Sequence, residues 1–245
     1  MVNFKIEIAR VVVEITAIYD TTYKFCKGFL TDSKADFSIE ISESDIAFEK
    51  EKARLTDIRE GRKPFDFSDK YLETLAVYRK IVEVLPKHNA FLFHGSAVAV
   101  DGEAYLFTAK SGTGKSTHVS FYREKFGDRA VMVNDDKPLI LIEGDKAYVC
   151  GTPWCGKENY NINRRVELCG IAFVERDKEN SVVKISDIQA LPRILSQIMV
   201  SDSPDLGKQL ELIDKMLEKV PTYLLKCNMN DDAATVSYNA LKGND

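Results

Sequence analysis

Hydrophobic and polar residues alternate along residues 3 to 19, and valine and isoleucine supply most of the apolar positions. A period of two with β-branched side chains is typical of strands. The stretch ADFSIEISESDIAFEKEKAR continues this pattern, with Phe37, Ile39 and Ile41 on one face and a charged run behind them that we interpret as a solvated face. Glycine, proline and charges then interrupt the periodicity at residues 60 to 69. We therefore predict a small, mainly β segment over residues 1 to 65.

The apolar period changes to that of a helix after residue 68. In DKYLETLAVYRKIVEVLP the apolar residues recur every three or four positions, Ser68 or Asp69 can cap the start, and Pro86 ends the run. Two alternating apolar runs follow, FLFHGSAVAV and EAYLFTA, joined by Asp101 and Gly102. An Asp-Gly pair between such runs is a strong hairpin signal, so we expect these two strands to be antiparallel.

The rest of the chain mixes both periods. KSTHVSFYREKFG fits a helix, and a strand RAVMVND and a hairpin KPLILIEGDKAYVCG follow it. Helical periodicity returns at about residues 187 to 199, 205 to 219 and 231 to 242, with a strand TYLLKC before the last helix. This order predicts an α/β domain over residues 66 to 245 with a mixed, largely antiparallel sheet.

Composition limits the classes of partner. The 245 residues carry a formal net charge of -4 and no run of lysine or arginine, which argues against nucleic acid as a partner. No stretch reaches the roughly 18 apolar residues that a membrane span needs, and charges break the N-terminal apolar residues before they can form a signal peptide. The 5 cysteines form no CxxC pair, and their odd number indicates reduced thiols. We therefore expect a cytoplasmic protein that contacts neither nucleic acid nor membrane.

Residues 109 to 116, AKSGTGKS, match the phosphate-binding pattern GxxxxGK[ST] except that Ala109 replaces the first glycine. Glycines let the backbone pass close to phosphates, and successive N–H groups at the start of a helix supply partial positive charge. Lys115 adds a full charge, and the hydroxyl of Ser116 is suited to Mg²⁺. A plain glycine-rich turn is the alternative, but it explains neither the strand before the loop nor the helix after it. We predict that ATP with Mg²⁺ binds at Ser111, Gly112, Thr113, Gly114, Lys115, Ser116 and Thr117.

Two adjacent aspartates end the next predicted strand, in AVMVNDDKPLI. One carboxylate there can hold Mg²⁺, which leaves the other to accept a proton from an attacking hydroxyl. The alternative is that Asp135 and Asp136 only begin a turn. The later segment GTPWCGKENYNINRR carries cations that can approach a transferred phosphoryl group or lie on a solvated surface loop: Lys157, Arg164 and Arg165.

These motifs resemble a known family. The run FHGSAVAVDGEAYLFTAKSGTGKST, followed by AVMVNDD, resembles the catalytic domain of HPr serine kinase/phosphorylase, whose fold is related to that of ATP-dependent phosphoenolpyruvate carboxykinase. GTPWCGK also resembles a GTPWxGK segment of bacterial HPr-kinase-like proteins. The resemblance implies that Lys115 contacts phosphates and that Ser116 binds Mg²⁺. It implies that Asp135 and Asp136 share the roles of base and metal ligand, that His94 lies near the transferred phosphate, and that the chain forms a homo-oligomer.

We predict an ATP- and Mg²⁺-dependent kinase that transfers the γ-phosphoryl group to a serine-type hydroxyl of a peptide, a protein or a small metabolite. Of the two aspartates we assign Asp135 as the base and Asp136, with Ser116, as the metal ligand; His94 and Lys115 complete the predicted catalytic set. Two other classes stay open. One is a carboxykinase-like or phosphorylase activity, and the other is a non-catalytic module that senses nucleotide.

Overall fold

The computed structural model describes residues 1–110, 112–198, 205–228, 230 and 232–243. Its contacts divide the chain into two compact units, Met1–Leu85 and Pro86–Asp245. Over the described residues the chain forms seven α-helices and twelve strands, so the predicted α/β class is confirmed. Within the same ranges, every helix is too short or too polar to cross a lipid bilayer. The predicted start of the catalytic domain at residue 66 stays a prediction.

The first unit packs three helices with a three-stranded sheet. Strands β1 (Val2–Ile8) and β2 (Val11–Ala17) form an antiparallel hairpin, and β3 (Phe37–Glu40) pairs parallel with β2. The hairpin turns at Ala9 and Arg10, which both have positive φ, as the tightest hairpin turns require. The helices are α1 (Asp20–Phe25), α2 (Glu43–Arg59) and α3 (Asp69–Val84).

Helix α2 corrects the prediction of a mainly β segment. Its many charges hide the helical period, and we interpreted them as a solvated face after a strand. The helix begins at a capping box in which Ser42 and Asp45 exchange side-chain and backbone hydrogen bonds. The inner face of the helix is charged as well. It carries the buried Glu49, which accepts a hydrogen bond from Arg79 of α3 at 2.6 Å. The Ser-x-x-Asp spacing is the sequence signal that could have revealed this helix.

A buried carboxylate organises the first unit. Glu73 of α3 is fully buried and accepts hydrogen bonds from the backbone N–H groups of Ile18 and Tyr19 and from the hydroxyl of Thr22. These donors lie at the end of β2 and in the first turn of α1. Glu73 therefore fixes the start of α1 against α3.

Replacing Glu73 with alanine is expected to lower the free energy of unfolding of the first unit by about 3 kcal/mol, because three donors lose their buried acceptor. Chemical denaturation followed by circular dichroism would measure the change. Glu51→Ala is the matched control, since Glu51 pairs with Arg54 on the exposed side of α2 and surface pairs contribute little. Equal effects of the two substitutions would contradict the role assigned to Glu73.

The second unit is built on a nine-stranded sheet. Its main strand order is β4-β8-β9-β10-β6-β5-β7, and β12 pairs with both β10 and β11. Strand β10 pairs parallel with β6 and β12, and the other pairings are antiparallel, so the predicted mixed, largely antiparallel sheet is confirmed. The strands are β4 (Ala90–Leu92), β5 (Ser96–Val100), β6 (Glu103–Thr108), β7 (Ala130–Asn134), β8 (Leu139–Glu143), β9 (Lys146–Cys150), β10 (Arg165–Arg176), β11 (Ser181–Ile185) and β12 (Thr222–Cys227).

Helices cover both faces of this sheet. Helices α4 (Lys115–Phe126) and α7 (Asp232–Lys242) share one apolar core with the sheet, while α5 (Asp187–Leu195) and α6 (Leu206–Lys219) share the other. Helix α5 ends at Leu195, before the predicted end at residue 199, and residues 199 and 231 lie outside the described residues. The predicted Asp101-Gly102 hairpin joins β5 to β6.

The predicted single strand FLFHGSAVAV is instead divided into β4 and β5. Strand β4 lies at one end of the strand order and β5 near the other, so residues 93–95 connect two distant parts of the sheet. Residues 135–138, between β7 and β8, make a second connection of this kind. The two connections pair with each other, since the N–H of Gly95 donates to Asp136 O and the N–H of Phe93 donates to Pro138 O, both at 3.1 Å. The predicted catalytic residues His94, Asp135 and Asp136 all lie on these two connections.

Candidate active site

The glycine-rich loop connects β6 to α4 and takes a left-handed backbone at two positions. Gly112 has a φ of 77° and Gly114 a φ of 119°, and no atom lies within 4 Å of where a Cβ would be on either. The loop therefore needs these glycines for their conformation, since space is not limiting. Thr113 lies between them, and the predicted ligand Ser111 lies outside the described residues.

Lys115 is the first residue of α4, and its side chain folds back over the loop. Its Nζ donates a hydrogen bond to the carbonyl oxygen of Ala109 at 3.2 Å. Burial lowers the pKa of Lys115, and the negative charge of Asp136 opposes this effect. Ser116 and Thr117 follow in the first helical turn, where N–H groups have no partner within the helix. The start of α4 thus combines a lysine, hydroxyls and backbone donors suited to an anion.

Arg176 also contacts the glycine-rich loop, and the sequence did not predict this contact. This residue ends β10, and its guanidinium donates hydrogen bonds to the carbonyl oxygens of Thr113 at 2.8 Å and Gly112 at 2.6 Å. These two bonds tie the carbonyl groups of Gly112 and Thr113 to the end of β10. No local signal marks the contact, because it depends on the parallel pairing of β10 with β6.

Asp136 and His94 form a pair across the two connections. His94 Nε2 lies 3.1 Å from Asp136 Oδ1. The backbone N–H of Asp136 donates to the side-chain oxygen of Asn134 at 2.9 Å, which fixes the turn after β7. Burial alone would raise the pKa of Asp136, but the hydrogen bond with His94 and the charges of Lys137 and Lys115 outweigh it and lower the pKa. Asp136 is therefore held as a carboxylate.

The pKa of Asp135 is shifted in the opposite direction to that of Asp136. Burial raises its pKa, and the adjacent charge of Asp136 adds to this rise, although a backbone N–H bond from Gly156 opposes it. That N–H group lies 2.5 Å from Asp135 Oδ1, and the N–H of Asp135 in turn donates to Tyr160 O at 3.1 Å. Neighbouring carboxyl groups with opposite pKa shifts are the arrangement in which one can exchange a proton while the other stays charged.

Residues 151–161, which we call the strap, run along the end of β7. The Nδ2 of Asn134 donates to the carbonyl oxygens of Thr152 at 3.2 Å and Trp154 at 3.1 Å. Trp154 is buried, and the N–H of Gly156 donates a hydrogen bond to Asp135. The strap is therefore part of the support of the aspartate pair, which explains why the segment GTPWCGK lies close to the predicted site.

Gly151, where the strap begins, has no room for a side chain. An added Cβ would lie 1.8 Å from Ile162 O and 2.8 Å from Val133 O, and both are backbone atoms. Gly151→Ala is therefore expected to lower the free energy of unfolding by about 3 kcal/mol or more. Gly207→Ala in α6 is the matched control, because nothing lies within 4 Å there and alanine favours a helix. Similar denaturation midpoints for the two variants would contradict the close packing of the strap.

Two cavities lie near this site, one lined by the loop and the other by the start of α4. The larger, of about 650 Å³, is lined by the start of the loop, the end of β10 and the end of α5, including Thr108, Thr113, Glu175, Arg176, Arg193 and Gln197. The smaller, of about 310 Å³, we call the carboxylate cavity. Its lining includes Ser96, Ser116, Arg123, Asp135, Lys157 and Tyr160.

The structure thus brings those predicted residues that it describes to one end of the sheet. Ser116, Thr117 and Asp135 line the same cavity, and the charges of Lys115 and Asp136 interact. Among the described residues, no group of three or more histidine, cysteine, aspartate or glutamate side chains could hold a metal ion by itself. The hydroxyl of Ser116 and an aspartate are nevertheless hard oxygen donors, and Mg²⁺ commonly takes only one or two protein carboxylates with phosphate oxygens and water. The donor set therefore fits Mg²⁺ bound together with a nucleotide.

No protein-family model matches the chain. No curated protein sequence matches it either. Among solved structures, the chain is similar to the Hpr(Ser) kinase/phosphatase from Coxiella burnetii, with a TM-score of 0.37 and 10% sequence identity over 63% of this chain and 99% of that one.

Proposed function

We propose that the chain is an ATP- and Mg²⁺-dependent phosphotransferase of the HPr-kinase-like type that moves the γ-phosphoryl group to a hydroxyl. The observation that supports this most directly is the aspartate pair with opposite pKa shifts beside a glycine-rich loop and its lysine. A loop that only held nucleotide would need Lys115 and its backbone donors, but not a half-buried carboxyl group of raised pKa.

Each residue has a distinct role in this proposal. The loop N–H groups and Lys115 bind the phosphates, and the Arg176 contacts keep the loop in the binding conformation. Ser116 and Asp136 would hold Mg²⁺, which when bound neutralises the charge that develops on the phosphate oxygens. His94 orients Asp136 through their 3.1 Å contact.

Asp135 is the proton acceptor. The acceptor hydroxyl attacks the γ-phosphorus, a new P–O bond forms, the bond between the γ-phosphorus and the β-phosphate oxygen breaks, and ADP leaves. The hydroxyl proton passes to Asp135, whose raised pKa makes it a better base than an ordinary exposed aspartate. The Gly156 N–H group keeps one carboxylate oxygen in place, so that the other can receive the proton.

The test is a calorimetric titration with ATP and Mg²⁺, followed by an assay of γ-labelled ATP in the same samples. We expect saturable, Mg²⁺-dependent binding and slow release of labelled phosphate to water. If nucleotide binds but no labelled phosphate is released, and if Asp135→Asn leaves the biological function unchanged, the chain is a nucleotide-sensing module. Phosphate or pyrophosphate attacking a phosphoserine would indicate a phosphorylase. Absence of nucleotide binding would overturn the proposal.

A further inference from the structure

The carboxylate cavity, unlike the larger cavity, has the candidate base in its wall. Asp135 and Ser116 both line it, so a hydroxyl bound there can reach the base and the phosphate-binding turn of α4. The larger cavity is lined by the start of the loop and the end of β10. Because the attacking hydroxyl must lie within hydrogen-bond reach of its base, the acceptor belongs in the carboxylate cavity.

The size and the walls of this cavity favour a small acceptor. Its volume of about 310 Å³ lies at the lower end of the range for small-molecule sites. The strap supplies Lys157, Glu158 and Tyr160 to the wall, and it is fastened to the end of β7 by the backbone and side-chain bonds of Asp135 and Asn134. These bonds support the wall next to Asp135 and are consistent with a small acceptor rather than a loop of a folded protein.

Two cations in the lining can bind an anionic group next to the hydroxyl. Lys157 and Arg123 both line the cavity, and among the described residues neither has a carboxylate within ion-pair distance. Arg123 is instead held over the ring of Tyr160, with its Cζ 4.2 Å from the ring centroid. Glu158 also lines the cavity and can accept a hydrogen bond from a second hydroxyl of the acceptor. Lys157 and Arg123 can therefore bind a carboxylate or a phosphate of the acceptor.

We propose that the carboxylate cavity binds the phosphoryl acceptor, and that this acceptor is a small hydroxyl compound carrying a carboxylate or phosphate group. The inference rests on the proposed phosphotransferase function and narrows its substrate. The anionic group binds Lys157 and Arg123, and the hydroxyl faces Asp135. The hydroxyl oxygen bonds to the γ-phosphorus, its proton goes to Asp135, and ADP leaves with the electrons of the broken P–O bond.

The test measures ADP release by the full chain with Mg²⁺ and ATP in the presence of matched acceptors. The panel contains three- to six-carbon hydroxy acids, such as D-glycerate, and phosphorylated polyols, such as glycerol 3-phosphate. Each of these compounds is paired with its neutral alcohol. A serine-containing peptide is included as well. We expect an anionic member to raise ADP release above the reaction with water and to yield a phosphorylated product by mass spectrometry. Its neutral partner should have a kcat/KM at least about 10-fold lower. The two anionic arms distinguish a carboxylate from a phosphate.

The matched variants are Lys157→Met and Lys125→Met. We expect Lys157→Met to raise the KM for the anionic acceptor by about 10-fold or more, with little change in the dissociation constant of ATP, because it removes one ion pair to the acceptor. Lys125 is exposed on α4 and does not line the cavity, so its substitution should leave both constants unchanged.

Three outcomes would overturn the acceptor proposal alone. In the first, the neutral alcohol or the peptide is the better acceptor. In the second, Lys157→Met weakens ATP and leaves the acceptor KM unchanged, which would place the nucleoside in this cavity. In the third, ATP binds and is hydrolysed but no anionic member increases ADP release, and the phosphotransferase proposal then survives alone. If ATP does not bind, both proposals fail.

Discussion

Replacing Asp135 with asparagine is expected to slow phosphoryl transfer by roughly 10²- to 10⁴-fold while nucleotide still binds, because the substitution removes only the proton acceptor. Asparagine keeps a side-chain oxygen that can accept the N–H of Gly156, so the strap should stay in place. Transfer is measured with γ-labelled ATP, and nucleotide affinity by calorimetry. Asp145→Asn is the control, since Asp145 lies on the exposed turn between β8 and β9.

The pH profile provides an independent check on this assignment. A base must be ionised, and burial raises the pKa of Asp135, so activity should fall as the pH decreases through this raised pKa. The pKa of Asp136 is lowered, so Asp136 stays ionised there and does not limit the rate. The acidic limb should therefore disappear in the residual activity of Asp135→Asn. A limb that persists unchanged in this variant would show that another group is the base.

Lys115→Ala is expected to weaken the binding of Mg²⁺ and ATP by about 100-fold, equivalent to roughly 3 kcal/mol for a charge-assisted contact with phosphate. The effect should be large because the lysine is already partly desolvated and held over the loop, so little order has to be gained on binding. Calorimetric titration measures the dissociation constant.

Lys125→Ala is the matched lysine for this test, since it lies on α4 away from the loop. A thermal melt of both variants checks that the loss of the Lys115 hydrogen bond to Ala109 leaves the fold intact. A dissociation constant for Lys115→Ala within about threefold of the wild type would contradict the phosphate-binding role.

Local sequence signals predicted the elements that depend on local chemistry. The Asp101-Gly102 turn, the helix after the glycine-rich loop and the alternating strands around them are all present in the structure. The prediction failed at residues 43 to 59, where charges on both faces of α2 hide the apolar period. It also failed at FLFHGSAVAV, because a continuous apolar run does not show that the chain leaves one end of the sheet and joins the other.

In the candidate site, too, the residues that are adjacent in the sequence were predicted, and those that meet only through the fold were not. Residues 112 to 117 are adjacent in the sequence, so one motif is enough to predict a phosphate-binding loop. Arg176 and Gly156 act on the loop and on Asp135 through contacts that form only after distant strands pair. Their residue types carry no signal of that role, and a single sequence gives no means of locating the contacts.

The Arg176 contacts also determine when the loop can function during folding. Arg176 follows Thr113 by 63 positions, and it reaches the loop only after β10 has paired in parallel with β6. Pairings across so many residues form slowly, since the intervening chain must lose its freedom before the contact is gained. The hairpin of β5 and β6 can form early, but the loop at its end is ordered late. The proposed binding of nucleotide through this loop therefore depends on the completed fold, and ATP is expected to stabilise the native state rather than to guide the first steps of folding.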